Sequence, residues 1–82
     1  MEELELSVKK IVANAIGLEM DEFDNDTHLY NDLGADSVIG FEIIAKLQKK
    51  YQIIIGAEDV SKLMSVSSIA EYISEKTSAS VS

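Results

Sequence analysis

The apolar residues of this chain recur at helical spacing along most of its length, and this spacing is the feature that most constrains the fold. No proline interrupts the pattern, so no helix has to break at a missing backbone N–H group. The three- and four-residue steps of the N-terminal segment predict an amphipathic helix that ends at Gly17, a residue suited to a left-handed cap. Its apolar face consists of Leu4, Val8, Ile11, Val12, Ala15 and Ile16.

Further segments complete the predicted bundle. A second helix is predicted from residue 36 or 37 to about 51, and a last helix from 65 or 66 to 75. Residues 57–60 predict a short helix, and the β-branched run 53–55 is interpreted as an extended connection because a single strand would have no partner. The Asp- and Asn-rich stretch 18–35 predicts a long first loop. The expected fold class is therefore all-α, a small bundle of three main helices plus one short helix.

Size and terminal composition bound the domain organisation. At 82 residues the chain is expected to form one domain, 1–82, with an ordered core over about 4–75 and a frayed polar tail over 76–82. No apolar run is long enough to span a bilayer, and the acidic N-terminus is unlike a secretory signal or transit peptide. We therefore expect a cytoplasmic protein that is not embedded in a membrane. The first methionine and the short tail favour a free-standing protein, which we expect to be a monomer.

The formal net charge of −8 separates unsuitable partners from suitable ones. So acidic a surface repels phosphates, which argues against a nucleic-acid partner, and it attracts basic patches on proteins. The run 24–28, Asp-Asn-Asp-Thr-His, hints at a calcium loop. It lacks the glycine and the glutamate that an EF-hand places further along, so no metal site is predicted.

The segment Leu33-Gly34-Ala35-Asp36-Ser37-Val38 places a serine directly after a turn and at the start of the second helix. Asp36 is suited to be the N-cap, and the hydroxyl of Ser37 would be exposed. Ser37 is then either an ordinary helix-start serine or an attachment point for a prosthetic group. A hydrolytic serine is disfavoured, because the segment lacks a G-x-S-x-G elbow and the single histidine, His28, has no evident orienting partner.

This segment resembles the attachment site of the acyl carrier protein family. The resemblance covers residues 4–75 and includes the length, the acidity, Phe23, the stretch 27–29 and the stretch 65–73. It implies that Ser37 carries 4′-phosphopantetheine through a phosphodiester, and that the working thiol belongs to this cofactor, in keeping with the absence of cysteine from the chain. Asp36, whose charge is like that of the phosphate, would cap the helix or contact the modifying enzyme or its metal.

The family resemblance also implies the function and the partners. The protein would be a non-catalytic carrier that holds acyl groups as thioesters and shuttles them between enzymes of fatty-acid, polyketide or related lipid biosynthesis. A phosphopantetheinyl transferase would modify it with coenzyme A, and acyl-loading and acyl-processing enzymes would then bind it transiently. Two alternatives stay open: a peptidyl or aminoacyl carrier domain, and an unmodified acidic helical interaction module.

The faces of the second helix separate by angle, at about 100° per residue. The core arc comprises Gly40, Ile43, Ile44, Leu47 and Tyr51, whereas Val38, Phe41, Ala45, Gln48 and Lys49 fall on the opposite side. With the resemblance, the predicted partner-docking residues are Val38, Ile39, Phe41, Glu42, Ala45, Lys46 and Lys49. The residues predicted to line a pocket for the acyl chain are Ile43, Ile44, Leu47, Ile55, Leu63 and Ile69.

The second helix departs from the usual pattern of the family in its charges. Ile39 stands where an acidic residue is typical, and the helix ends with Lys46, Lys49 and Lys50. The lysines complement the negative end of the helix dipole, and they also change which partner surfaces fit. These departures favour a specialised carrier.

Overall fold

The computed structural model describes residues 2–81 and the side chains of residues 2–77. Three α-helices are present, α1 (Glu2–Ile16), α2 (Ser37–Tyr51) and α3 (Val66–Val81), with 3₁₀ helices at Met20–Glu22 and Ala57–Lys62. No strand occurs within this described range. The all-α prediction of three main helices plus a short one is confirmed, and the short helix is of the 3₁₀ type. The 3₁₀ turn inside the first loop was not predicted.

The core lies between the three long helices, and α1 packs against both α2 and α3. Val8 and Val12 of α1, Leu47 of α2 and Val66 of α3 are each completely buried. Together with buried neighbours such as Ile43, four residues before Leu47, these positions form the apolar stripes from which the helices were predicted.

The C-terminal ends of α1 and α2 are each closed by a residue with a left-handed backbone conformation. Gly17 has φ +88°, and its N–H donates to the Ala13 carbonyl over 2.8 Å, which closes α1. The end of α2 is less usual, because Gln52 adopts φ 54° and its N–H donates to the Gln48 carbonyl. The sequence predicts the glycine cap from residue type, whereas a left-handed glutamine carries no such signal.

The long first loop is tied to the bundle by its backbone. The Leu29 N–H donates to the Met64 carbonyl over 2.8 Å, and the Ser67 N–H donates to the Asn25 carbonyl over 2.9 Å. Phe23 and Leu29 bury their side chains in the core. The loop is thus ordered against the start of α3, and this anchoring sets the path of the chain into α2.

The last helix is longer than the sequence predicts, since α3 continues to Val81 instead of ending near Glu75. Neither proline nor glycine follows Glu75 to stop it. The hydroxyl of Thr77 donates to the Ile73 carbonyl over 2.9 Å, so this polar side chain is accommodated within the helix. The fraying of 76–82 stays a prediction, and Ser82 and the side chains of 78–81 lie outside the described residues.

Candidate functional site

The turn before α2 delivers Asp36 as the N-cap of that helix. Gly34 takes φ +69° within the turn, a conformation that favours glycine. Asp36 is extended, and its Oδ1 accepts the Ile39 N–H over 2.9 Å. The Gly40 N–H donates to the Asp36 carbonyl over 2.9 Å, which is the first hydrogen bond of the helix ladder. The helix therefore begins abruptly, with Ser37 as its first residue.

Ser37 is exposed at the N-terminus of α2. Asp36 satisfies one of the N–H groups that a helix start leaves open, but those of Ser37 and Val38 have no acceptor among the described residues. Unpaired N–H groups and the positive end of the helix dipole favour a phosphate ester at this point. The site therefore fits an anionic group attached to the Ser37 hydroxyl.

A groove of about 470 Å³ opens beside Ser37, between α2 and the 3₁₀ helix Ala57–Lys62. It is lined by Tyr30, Ser37, Gly40, Phe41, Ala57, Val60 and Ser61. Gly40 has no side chain here, and a Cβ at that position would lie 2.7 Å from the Tyr30 hydroxyl oxygen. The glycine thus gives Tyr30 room to lie against α2, and the ring forms one wall of the groove.

The opposite wall of the groove is held by a polar contact between the 3₁₀ helix and α3. The Tyr72 hydroxyl donates to Asp59 Oδ2 over 2.7 Å, and Lys62 Nζ lies 3.2 Å from Asp59 Oδ1. The hydrogen bond from Tyr72, and then that from Lys62, lowers the pKa of Asp59 below its ordinary value of 3.8. Burial, followed by the bond to Asp59, raises the pKa of Tyr72 to about 12.

His28 has a structural role in the first loop. Its Nδ1 accepts the Asn31 N–H over 3.0 Å and the Tyr30 N–H over 3.3 Å, so the imidazole orders the turn that carries Tyr30. Its own backbone N–H donates to Asp32 Oδ2 over 3.0 Å. No hydrogen bond joins His28 to Ser37 in the described part of the chain, so the arrangement of a nucleophilic serine and its base is not formed.

The predicted docking residues divide into an exposed group and one exception. Val38 and Phe41 are 73% and 66% exposed. Also exposed are Glu42, Ala45, Lys46 and Lys49. Ile39 is half-buried and packs against the core, because it lies at the edge of the buried arc of α2.

Gln48 is also placed differently from the prediction. The helical angle put it on the exposed side of α2, but it is half-buried, and its Oε1 accepts the Ile55 N–H over 2.9 Å. The side chain satisfies a backbone donor of the extended segment that follows α2, a tertiary contact that the angle does not reveal.

The residues predicted to line an acyl pocket belong to the core. Five of the six are at least nine-tenths buried, and Ile44 is half-buried against them. None of the six lines the groove at Ser37. The lining residues Tyr30, Ala57, Val60 and Ser61 were missed as site residues, because they come from other segments, the first loop and the 3₁₀ helix, which themselves carry no local signal of their packing against α2. The signal that pointed to them was Gly40, a glycine inside a helix, which indicated close packing by another element.

Neither a metal-binding cluster nor a membrane-spanning helix occurs in the part of the chain that the structure describes. No cluster of three or more His, Cys, Asp or Glu side chains suited to a metal is found there. In the acidic loop, Asp26 Oδ1 accepts the Ser67 hydroxyl over 2.9 Å, so this carboxylate ties the loop to α3. Within the same range, no helix is long and apolar enough to cross a membrane.

The bundle places the exposed Ser37 at the capped start of α2, beside a groove with mainly apolar walls. In a comparison with protein-family models, the family described as "Phosphopantetheine attachment site" matches residues 7–73. The match covers most of the chain, and the protein belongs to this family. Its members bear 4′-phosphopantetheine, so the protein has the role of a phosphopantetheine-bearing carrier, a class that is generally non-catalytic and works with transferases and biosynthetic enzymes.

Proposed function

We propose that Ser37 carries the 4′-phosphopantetheine and that the protein shuttles acyl groups, held as thioesters, between enzymes of fatty-acid, polyketide or related lipid biosynthesis. The observation that carries the proposal is the exposed Ser37 hydroxyl, placed at the start of α2 beside two backbone N–H groups without acceptors. A carrier of this kind works where coenzyme A and its transferase are available, which points to the cytoplasm.

The residues around Ser37 suit the group chemically. The N–H groups of Ser37 and Val38 would donate to the phosphodiester oxygens, and the helix dipole adds to this attraction. When bound, the group supplies the thiol that the chain, which has no cysteine, does not supply. Asp36 bears a charge of the same sign as the phosphate, so its contribution is to cap α2 and to contact the modifying enzyme.

The groove at Ser37 favours an acyl cargo over an aminoacyl one. Its walls combine the rings of Tyr30 and Phe41 with the aliphatic side chains of Ala57 and Val60, and no charged residue lines it. Apolar walls stabilise an alkyl chain by removing it from water. An amino acid would bring an ammonium group for which this lining has no carboxylate, so the groove would favour it less than an alkyl chain.

The exposed stripe of α2 would then serve the partner enzymes. Val38 and Phe41 lie within about a turn of Ser37, and both are largely exposed although apolar. An enzyme that binds this stripe would cover both side chains and bring its active site close to the attachment point. The predicted docking residues Glu42, Ala45, Lys46 and Lys49 continue this surface along the helix.

Incubation with coenzyme A and a broad-specificity phosphopantetheinyl transferase tests the proposal. We expect the intact mass to rise by one phosphopantetheinyl group in the parent protein and in Ser61→Ala, which removes another hydroxyl lining the groove. The mass of the Ser37→Ala variant should not change. If the parent protein gains no mass, the carrier role is wrong and the unmodified interaction module becomes the better explanation. A gain that persists in Ser37→Ala would place the attachment elsewhere.

A further inference from the structure

Tyr30 lies against the buried face of α2, where the groove at Ser37 meets the core. Its hydroxyl oxygen comes within 2.7 Å of the point where a Cβ of residue 40 would stand, and two of its ring carbons come within 3.6 Å. Tyr30 and Gly40 both line the groove, whereas Ile43, the next buried residue along α2, does not. The ring of Tyr30 therefore covers the buried face of α2 between the groove and Ile43.

The first loop holds Tyr30 in this position. The preceding residue, Leu29, is completely buried, its N–H donates to the Met64 carbonyl over 2.8 Å, and its carbonyl accepts the Ala35 N–H over 3.0 Å. The Tyr30 N–H donates to His28 Nδ1 over 3.3 Å, and the two rings meet edge to face with their centroids 6.1 Å apart. A backbone shift that withdrew the ring from α2 would break these contacts.

The stability of α2 does not require the contact between Tyr30 and Gly40. A glycine inside a helix is destabilising relative to alanine, because its backbone loses more conformational freedom on folding. Alanine at position 40 would be the better helix former, but its Cβ would lie too close to the Tyr30 hydroxyl. Gly40 therefore weakens α2 and allows a large ring to lie at the inner end of the groove.

The side chains beyond Tyr30 would suit an alkyl chain if it reached them. Ile43, Leu47 and Leu63 are aliphatic, each is at most 3% exposed, and none of them lines the groove. Surroundings of this kind stabilise an alkyl chain by removing it from water, as the groove does. The ring of Tyr30 stands between the two environments, so its size decides whether a chain in the groove continues into the core.

We propose that Tyr30 is a specificity-determining residue that closes the groove toward the core and so limits the length of the acyl chain, a proposal that rests on the acyl-carrier function above. A short chain lies wholly in the groove, where apolar walls remove it from water. A long chain fills the groove and meets the ring, so its remaining methylene groups stay in water and gain nothing from the bundle. The preferred cargo is therefore a short- or medium-chain acyl group.

Loading with an octanoyl and with a hexadecanoyl group tests the length limit in the parent protein and in Tyr30→Ala. The amide chemical shifts of each loaded form are compared with those of the unloaded carrier. We expect neither group to shift the Ile43 and Leu47 amides in the parent, and we expect hexadecanoyl to shift both in Tyr30→Ala. Tyr30→Phe is the matched control, because it keeps the ring and should behave as the parent does. Equal responses of Ile43 and Leu47 in the parent and in Tyr30→Ala would overturn the proposal.

A second variant leaves Tyr30 in place and moves its ring. Gly40→Ala should displace the ring, because the added Cβ would lie 2.7 Å from the hydroxyl oxygen, and hexadecanoyl should then shift the Ile43 and Leu47 amides. Combining Gly40→Ala with Tyr30→Phe should abolish these shifts, since the nearest ring carbons lie at an ordinary contact distance of 3.6 Å from that Cβ. Shifts that persist in the double variant would contradict a stopper formed by the ring.

Intact mass distinguishes a failure of this proposal from a failure of the carrier function. A protein that gains no acylated group at Ser37 would contradict both. A fully loaded protein whose core amides respond in the same way with and without the Tyr30 ring would contradict the length limit alone.

Discussion

At the scale of single residues, Asp36 shows how a local interaction prepares the site. Its carboxylate stands next to Ser37, where its charge opposes that of a phosphate. The same carboxylate accepts the Ile39 N–H and so fixes where α2 begins. The N–H groups of Ser37 and Val38, which precede Ile39, are left for another acceptor. The cap thus sets the orientation of Ser37 at the helix end.

Replacement of Asp36 tests this interpretation. Asp36→Ala should lower the free energy of unfolding by about 1 kcal/mol, because the Ile39 N–H loses its acceptor. Asp36→Asn should stay within a few tenths of a kcal/mol of the parent, since asparagine caps equally well. Urea denaturation measures both values. An equal loss in the two variants would mean that the charge of Asp36, and not its capping bond, stabilises the helix start.

At the scale of elements, the 3₁₀ helix Ala57–Lys62 depends on a polar contact for its position. None of its residues is fully buried, so apolar packing holds it only weakly. Asp59 connects it to Tyr72 of α3 over 2.7 Å. Since Ala57, Val60 and Ser61 line the groove at Ser37, this contact fixes the wall of the groove opposite Tyr30.

The pH dependence of stability tests the contact between Asp59 and Tyr72. Tyr72→Phe should lower the urea midpoint at pH 7. The difference in urea midpoint between the variant and the parent should shrink as the pH falls below 3.8. The depressed pKa of Asp59 confers stability on the parent, and this stability is lost once the carboxyl is protonated. The difference should also shrink between pH 10 and about 12, because the raised pKa of Tyr72 confers stability that is lost as the phenol ionises.

Tyr30→Phe is the matched control for Tyr72→Phe, since the Tyr30 hydroxyl makes no hydrogen bond within the described residues. The difference in urea midpoint between Tyr30→Phe and the parent should not change as Asp59 or Tyr72 titrates. A Tyr72→Phe difference that stayed constant from pH 3 to pH 11 would show that the lost hydroxyl does not act through Asp59.

At the scale of the whole molecule, α2 separates two surfaces. The groove at Ser37 lies on the side of the 3₁₀ helix Ala57–Lys62, and a shallow groove lined by Lys46, Lys49 and Lys50 lies on the side of α1. Between them runs the exposed stripe with Val38 and Phe41. Phe41 also lines the groove, so a partner that binds the stripe would contact one wall of the groove beside Ser37.

Loading with an octanoyl group tests where the cargo lies. We expect the largest changes in amide chemical shift, relative to the unloaded carrier, at Tyr30, Gly40 and Val60, because these residues line the apolar groove. An alanyl group attached in the same way should perturb them much less, since the groove has no partner for its ammonium.

The predicted pocket residues, Ile43 and Leu63 among them, lie in the closely packed core. Smaller shifts at these two residues than at the groove would indicate that the chain enters from the groove side. If the amide signals of the core residues shifted and those of the groove residues did not, the groove would not be the acyl site. If neither responded, the octanoyl chain would not be held by the bundle at all.

The sequence by itself determined the three long helices, apart from the end of α3, and with them the buried arc of α2 and the position of Ser37 at its start. These follow from local physical chemistry: apolar spacing selects the buried face, and a short acidic side chain selects the helix start. The sequence also predicted the exposure of Val38 and Phe41, because the angle around a helix fixes which positions lie opposite the core.

Only the tertiary structure decided what surrounds Ser37. Val60 lies far from it along the chain and Tyr30 belongs to the first loop, and both reach it because the loop and the 3₁₀ helix are tied to α3. The same holds for Gln48, which a backbone donor of a later segment draws out of the exposed face. Contacts between distant segments depend on how whole elements pack, and that packing leaves no periodic signal in the sequence.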